Sequence, residues 1–242
     1  ALRVPVYMDN NANVAALAEK WSGSGRNVDN FVALWLDMGI GSGIVLGGEL
    51  YRGSREGAGE FGHTSIPLVR SESDGMAWDE ELGRDERCRC GNLRCLENLA
   101  SGHALLRKAR RAVERGADTL LASFVDRPEE LTLSDLCRAA VAGDRLALEL
   151  VSTAGFYVGL ALVNLIHLLN PDKIILGGGM CEAGECLRTA IVESVLEYGD
   201  PFFTRDLLIE FSELDDHFLR PASVLALERV FEHGNELLVA KS

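Results

Sequence analysis

The segment Cys88-Arg89-Cys90-Gly91-Asn92-Leu93-Arg94-Cys95 sets three thiols within one short turn, and nothing else in the chain restricts its local fold as tightly. Cys88 and Cys90 stand one residue apart and would strain to pair with each other. Three thiols plus one imidazole are the ligand set of a closed tetrahedral zinc site. Soft ligands in that ratio suit Zn²⁺ better than Mg²⁺ or Ca²⁺. A filled four-ligand shell leaves no position for an activating water, so the expected metal is structural. Three unrelated cysteines, or a disulfide, are the competing readings, and the spacing favours zinc. His63 is the candidate fourth ligand; on spacing alone it fits a satisfied polar core group equally well. Glu60 and Glu97 bracket the candidate ligands, which places carboxylates and metal in one expected pocket.

A chain of 242 residues that is 47% hydrophobic can bury one sizeable core or two modest ones. Its formal charge of −13 argues against gripping a phosphate backbone, so any contact with DNA belongs to another segment. No secretory leader pattern opens the chain, and six cysteines do not make a disulfide scaffold; the expected compartment is the cytoplasm. Residues 150–171 carry no formal charge, which raises the question of a membrane span. Ser152, Thr153, Gly155, Gly159, Asn164, His167 and Asn170 interrupt that run, and a buried central helix is the better reading, with no membrane partner.

Along the chain, residues 4–8 read as a strand entering the polar cluster Asp9-Asn10-Asn11-Ala12-Asn13, and 14–21 as a helix. After a Gly/Ser/Asn loop, the continuous apolar run 31–38 suits a buried strand. Gly39 to Gly43 reads as a tight turn, 44–46 as the returning strand, and Gly47-Gly48 as a second hairpin turn into 49–51. Residues 70–87 look like a charged surface insertion. Helices are expected from Asn98 onward, with Thr132 and Asp135 as a capping box and Asp144 capping the long helix that Pro171 ends. Lys173 to Leu176 is a short buried strand, followed by a helix over 183–196, a strand over 207–211 and a last helix from Pro221 to about His233.

Two glycine clusters are candidates for cradling a nucleotide. Gly39 and Gly41, with Gly43, let backbone N–H groups approach a ligand, though a tight hairpin selects the same residues. Gly177, Gly178 and Gly179 follow a strand, where α/β folds place nucleotides; close helix–strand packing is the alternative. Asn10 and Asn11 offer amides that donate and accept, the equipment for reading sugar hydroxyls, and Glu60 and Glu97 add acceptors. An Asx turn and a solvated surface would use the same residues.

Taken together, Asp9-Asn10-Asn11-Ala12-Asn13, the glycine-rich turn, Gly57-Ala58-Gly59-Glu60-Phe61-Gly62-His63 and Cys88-x-Cys90-Gly91-x-x-x-Cys95-x-Glu97 resemble the ROK family of repressors, uncharacterised reading frames and sugar kinases. The resemblance implies an α/β, actin-like (ribonuclease-H-like) ATPase fold. It also implies a dimer or tetramer, zinc held by His63, Cys88, Cys90 and Cys95, and a hexose or N-acetylhexosamine site of Asn10, Asn11, Glu60, His63 and Glu97. In active kinases of the family the polar cluster reads Asn-Asp, and that Asp takes the proton from the sugar hydroxyl. Here the position is Asn11, so no catalytic residue is assigned. By the same resemblance, the family's amino-terminal half-domain with its phosphate loop is expected to be missing from the chain. Residues 1–30 then read as a remnant of the first subdomain, 31–220 as the second with its zinc knuckle and insertion, and 221–242 as a C-terminal helix and tail. Arg94 also stands where the family usually has Gly. The expected function is the sugar-sensing, zinc-containing effector part of a transcriptional regulator. An ATP- and Mg²⁺-dependent hexose kinase of the same family is the alternative.

Overall fold

The apolar run beginning at Phe31 becomes β1 (Phe31–Leu36), and its side chains alternate between two buried clusters. Phe31 and Ala33 pack with Ala16, Val45 and Ile175 on one face, whereas Val32, Leu34 and Leu36 join the main core on the other. A strand covered on both faces has no polar side to show, which is why its sequence is a run and not an alternation. The structure, a computed structural model, describes residues 6, 8–66, 87–214 and 223–227. The strand expected over 4–8, most of the 70–87 insertion and most of the 221–233 helix lie outside the described residues; 223–227 are helical.

β1 pairs antiparallel with β2 (Ile40–Leu46), and β3 (Glu49–Leu50) extends that meander. On its other edge β1 pairs parallel with β4 (Lys173–Gly177), which pairs parallel with β5 (Leu208–Phe211). The sheet order is β3-β2-β1-β4-β5, a mixed sheet of the expected α/β class.

Two local expectations are corrected here. Gly39 to Gly43 is not a tight turn: β2 already begins at Ile40, and the turn is Asp37-Met38-Gly39, closed by the Asp37 N–H donating to Gly39 O at 3.0 Å. The helix expected from residue 14 is α1 (Asn11–Ser22), because the Asn10 side chain caps it by accepting the Ala12 N–H at 2.9 Å. These corrections share a cause. A Cβ on Gly43 would lie 2.4 Å from Ala16 Cβ and 2.5 Å from Ala12 O, and one on Gly41 would lie 3.0 Å from Ala12 Cβ. The glycines are strand residues that let α1 settle onto the sheet. The far end of α1 is held by Glu19, a buried carboxylate accepting the Ser24 N–H at 2.8 Å and the Ser212 hydroxyl. Burial first, with Glu213 and Glu210 nearby, raises its pKa although both hydrogen bonds oppose the shift.

Beyond the cysteine turn the chain is helical: α2 (Leu96–Ala100), α3 (Gly102–Glu114), α4 (Leu121–Phe124) and α5 (Leu133–Val141). Then come α6 (Arg145–Leu169), α7 (Glu185–Tyr198) and α8 (Pro201–Thr204). The Thr132–Asp135 capping box and the Asp144 cap form as expected. α6 is long and apolar enough by composition to cross a membrane, yet it is the central packed helix of the core. Its Gly155 and Gly159 admit α7 closely, a Cβ on Gly159 falling 2.5 Å from Ile191 O.

Gly43→Ala is expected to cost about 1–3 kcal/mol, the usual penalty for overfilling a packed contact. Gly41→Ala should cost less. Urea midpoints of the two variants against wild type check the order.

Candidate functional site

The residues singled out from sequence converge around the start of β2. The segment Gly59–His63 runs beside that strand more closely than side chains permit. A Cβ on Gly59, whose φ is +91°, would lie 2.1 Å from Ser42 O, and one on Gly62 would lie 2.3 Å from Ile40 O. The Ser42 N–H and hydroxyl both donate to Gly59 O at 3.0 Å. A single 3₁₀ turn over Phe61–His63 then turns Glu60 and His63 outward together. The His63 Nε2 lies 3.7 Å from Glu60 Oε2, and Asn10 Nδ2 donates to Glu60 Oε1 at 3.5 Å. Asn10, Glu60 and His63 therefore form one polar edge at the N-terminus of α1.

The other nitrogen of His63 faces the thiols. Its Nδ1 is 3.4 Å from Cys88 Sγ, Cys90 Sγ is 3.5 Å from Cys95 Sγ, and all four donor atoms lie within 4.8 Å of one another. A tetrahedral ion with metal–sulfur bonds of ~2.3 Å sets its donors roughly 3.8 Å apart, so the cluster has the size such an ion requires. The backbone is stitched to match: Leu96 N–H donates to Thr64 O at 2.9 Å, Cys88 N–H to Asn92 O at 2.8 Å, and Ser65 bridges to Cys95. Arg94 adopts φ +59°, a left-handed conformation that a glycine holds without strain and that costs other residues about 1–2 kcal/mol. The loop keeps its turn with arginine at that position.

The thiols perturb one another. Burial first, then the hydrogen bonds and charges of Cys90 and Cys88, push the Cys95 thiol up to about 12, while the Asn92 backbone N–H leads in drawing Cys90 below its ordinary value. A central cation reverses this balance, because coordination deprotonates thiols outright.

Glu97 opens α2 two residues after Cys95, and its Oε2 accepts the Ile40 N–H at 3.2 Å. A Cβ on Gly39 would lie 3.0 Å from that same oxygen, so Gly39 belongs to the Glu97 side of the site. Asn11 is exposed and its Oδ1 accepts the Ala12 N–H at 2.9 Å; it shares the helix end with Asn10. Gly41 lies beneath α1. Gly177, Gly178 and Gly179 gather at the carboxyl ends of β4 and β1, with Gly178 at φ +96° against Leu36 O.

Sequence reasoning passed over two groups. Asp37, at the end of β1, accepts the Met38 N–H at 2.7 Å and the Gly179 N–H at 3.0 Å, tying both strand ends together. A lone carboxylate closing an apolar run was the available signal. Arg52 pairs with Asp9, whose Oδ1 also accepts from Asn13 Nδ2 at 2.9 Å. Burial opposes ionisation of Asp9, but the bonds from Asn13, Arg52 and the Asn10 N–H outweigh it and hold the carboxyl below 3.8. No signal short of tertiary contact would have joined residues 9 and 52.

A model of the ROK family matches residues 1–229. A glucokinase from Halalkalibacterium halodurans is 38% identical over 200 residues, which cover 82% of this chain and 56% of the relative. A crystal structure of a ROK family transcriptional regulator, homologous to Escherichia coli Mlc, has a TM-score of 0.77 at 31% identity over 93% of this chain and 52% of its own. A ROK family glucokinase from Streptomyces griseus, in complex with glucose and AMPPNP, has a TM-score of 0.74 at 28% identity, covering 93% and 68%. The chain spans about half the length of the first relative and of the regulator. Its fold is that of the actin-like ROK sugar kinases and repressors.

A depressed carboxyl contributes stability that is full above its unfolded value and lost as pH falls through the folded one. Asp9→Asn is therefore expected to cost about 1 kcal/mol at neutral pH. The difference from wild type should shrink as pH drops below 3.8, as read from urea melts across that range.

Proposed function

The chain belongs to the ROK family, and we propose that it is the zinc-braced, sugar-sensing portion of a ROK transcriptional regulator, binding a hexose or N-acetylhexosamine without phosphorylating it efficiently. The observation that carries this reading is the chemistry at the N-terminus of α1. Asn11 occupies the position of the kinase base and has no useful basicity, and general-base catalysis is ordinarily worth about 10²–10⁴ in rate. Asp9, the nearest replacement, is committed to Arg52 and Asn13, and its carboxyl is held below its ordinary value. Both asparagines can still hydrogen-bond a sugar hydroxyl.

In this reading Asn10, Asn11, Glu60, His63 and Glu97 hold the sugar. The donor set of His63, Cys88, Cys90 and Cys95 fits a structural Zn²⁺, which when bound would fix the ring of His63 and the turn that carries Glu97. With Nδ1 among the thiols, Nε2 keeps the proton and points along the same edge as Glu60, ready to donate to a hydroxyl between them. Glu60 and Glu97 accept from neighbouring hydroxyls. Operator contact belongs to a segment outside this chain, consistent with a charge of −13, and sugar occupancy would shift the arrangement of a homo-oligomer.

The kinase alternative draws on a specific observation, the 38% identity to a glucokinase. Phosphoryl-transfer assays of the intact protein with glucose, mannose and N-acetylglucosamine separate the two. Thermal shift with one of these sugars and no product is the expected result; turnover above roughly 1 s⁻¹ overturns the regulator reading.

Cys90→Ser is expected to release the metal and weaken sugar binding together, as measured by elemental analysis and calorimetry. Loss of metal with unchanged sugar affinity would break the proposed coupling.

A further inference from the structure

Against the chain's strongly acidic composition, the described residues assemble a basic cleft. It has a volume of about 740 Å³ and lies between α3 and the cysteine turn. Arg107, Arg110 and Arg111 form one wall, at the spacing that puts helical residues on one face, and Arg87 and Arg89 of the cysteine turn form the other. Among the described lining residues the carboxylates are Glu97, whose Oε2 already accepts the Ile40 N–H, and Glu114 at the far end. Three of the arginines are fixed by neutral acceptors: Arg110 Nη2 donates to Leu131 O at 2.8 Å, Arg87 Nη1 to Gly91 O at 2.9 Å and Arg107 Nη2 to Asn98 O at 3.4 Å. Carbonyl partners orient a guanidinium without cancelling its charge. The Nε of Arg110 is buried and has no partner among the described residues.

We propose that this cleft, which meets the sugar-site residues only at Glu97, is a second binding site for a small anion carrying one or more phosphate groups. Its volume lies within the ~300–1,000 Å³ of ordinary small-molecule sites. The planar forks of arginine match phosphate oxygens in pairs, and forks on facing walls can grip an anion from two sides. A nucleic-acid backbone is the poorer fit, since a chain of charge −13 repels an extended polyanion everywhere outside the cleft. The inference assigns no role to the metal or the sugar; because Arg87 and Arg89 belong to the cysteine turn, metal content is measured beside binding so that loss of the turn and loss of the anion site are told apart.

The test is calorimetric titration of the whole chain with inorganic pyrophosphate, alongside inorganic phosphate and citrate, with metal content measured for every variant. A single saturable site is expected, with phosphates preferred to citrate. Arg111→Glu and Arg89→Glu should each weaken it about tenfold or more, the scale of one lost charge-assisted contact. Arg205→Glu, the same charge change on the exposed end of α8, should leave it intact. Should a charge reversal fail to fold, Arg111→Lys keeps the charge but removes the fork, and is expected to weaken pyrophosphate measurably. No saturation at millimolar pyrophosphate, equal weakening in Arg205→Glu, or binding of an acidic peptide or duplex oligonucleotide in place of pyrophosphate would each overturn the proposal.

Discussion

The close approach of backbone to β2 is the constraint on which the candidate site depends. Gly41 and Gly43 let α1 descend onto the strand, while Gly59 and Gly62 let the 59–63 segment run along its edge. A side chain at Gly43, Gly59 or Gly62 would collide with backbone or a neighbouring methyl, which a packed interior accommodates poorly. Because both approaches meet one strand, the N-terminus of α1 and the Glu60–His63 turn are brought into register. The hydrogen bond from Asn10 to Glu60 is the visible result.

The cysteine turn extends this frame to Glu97. Its thiols and the His63 ring form a donor cluster of metal-binding size, in which burial and the neighbouring thiols push Cys95 up while Cys90 is drawn down. Hydrogen bonds from Leu96 to Thr64 and from Ile40 to Glu97 link the turn both to the segment bearing His63 and to the start of β2.

Charge is distributed with similar economy. One carboxylate near the α1 terminus, Asp9, is paired with Arg52, and the neighbouring positions 10 and 11 are amides, which donate and accept hydrogen bonds but have no useful basicity. Asp37, in the turn that leads from β1 into β2, serves as a strut to the Gly177–Gly179 loop, with both oxygens accepting backbone N–H groups.

Much of this was legible in the residues alone. The thiol spacing marked a turn whose sulfurs gather with His63 into a candidate metal site, the apolar run at Phe31 marked a strand buried on both faces, and Thr132, Asp135 and Asp144 marked helix starts, because each signal is local and its physics acts within a few residues. The family motifs pointed to Asn10, Glu60, His63 and Glu97, of which the fold joins the first three directly and reaches Glu97 through Ile40. What local pattern misjudged was the meaning of glycine: Gly41 and Gly43 looked like turn residues, and only the helix lying on them reveals why they lack side chains. The Arg52–Asp9 pair, the Asp37 strut and the arginine-lined cleft likewise had to await the tertiary structure. Their partners lie far apart in the chain, and charge pairing or burial is decided by distance in space, which composition and periodicity do not encode.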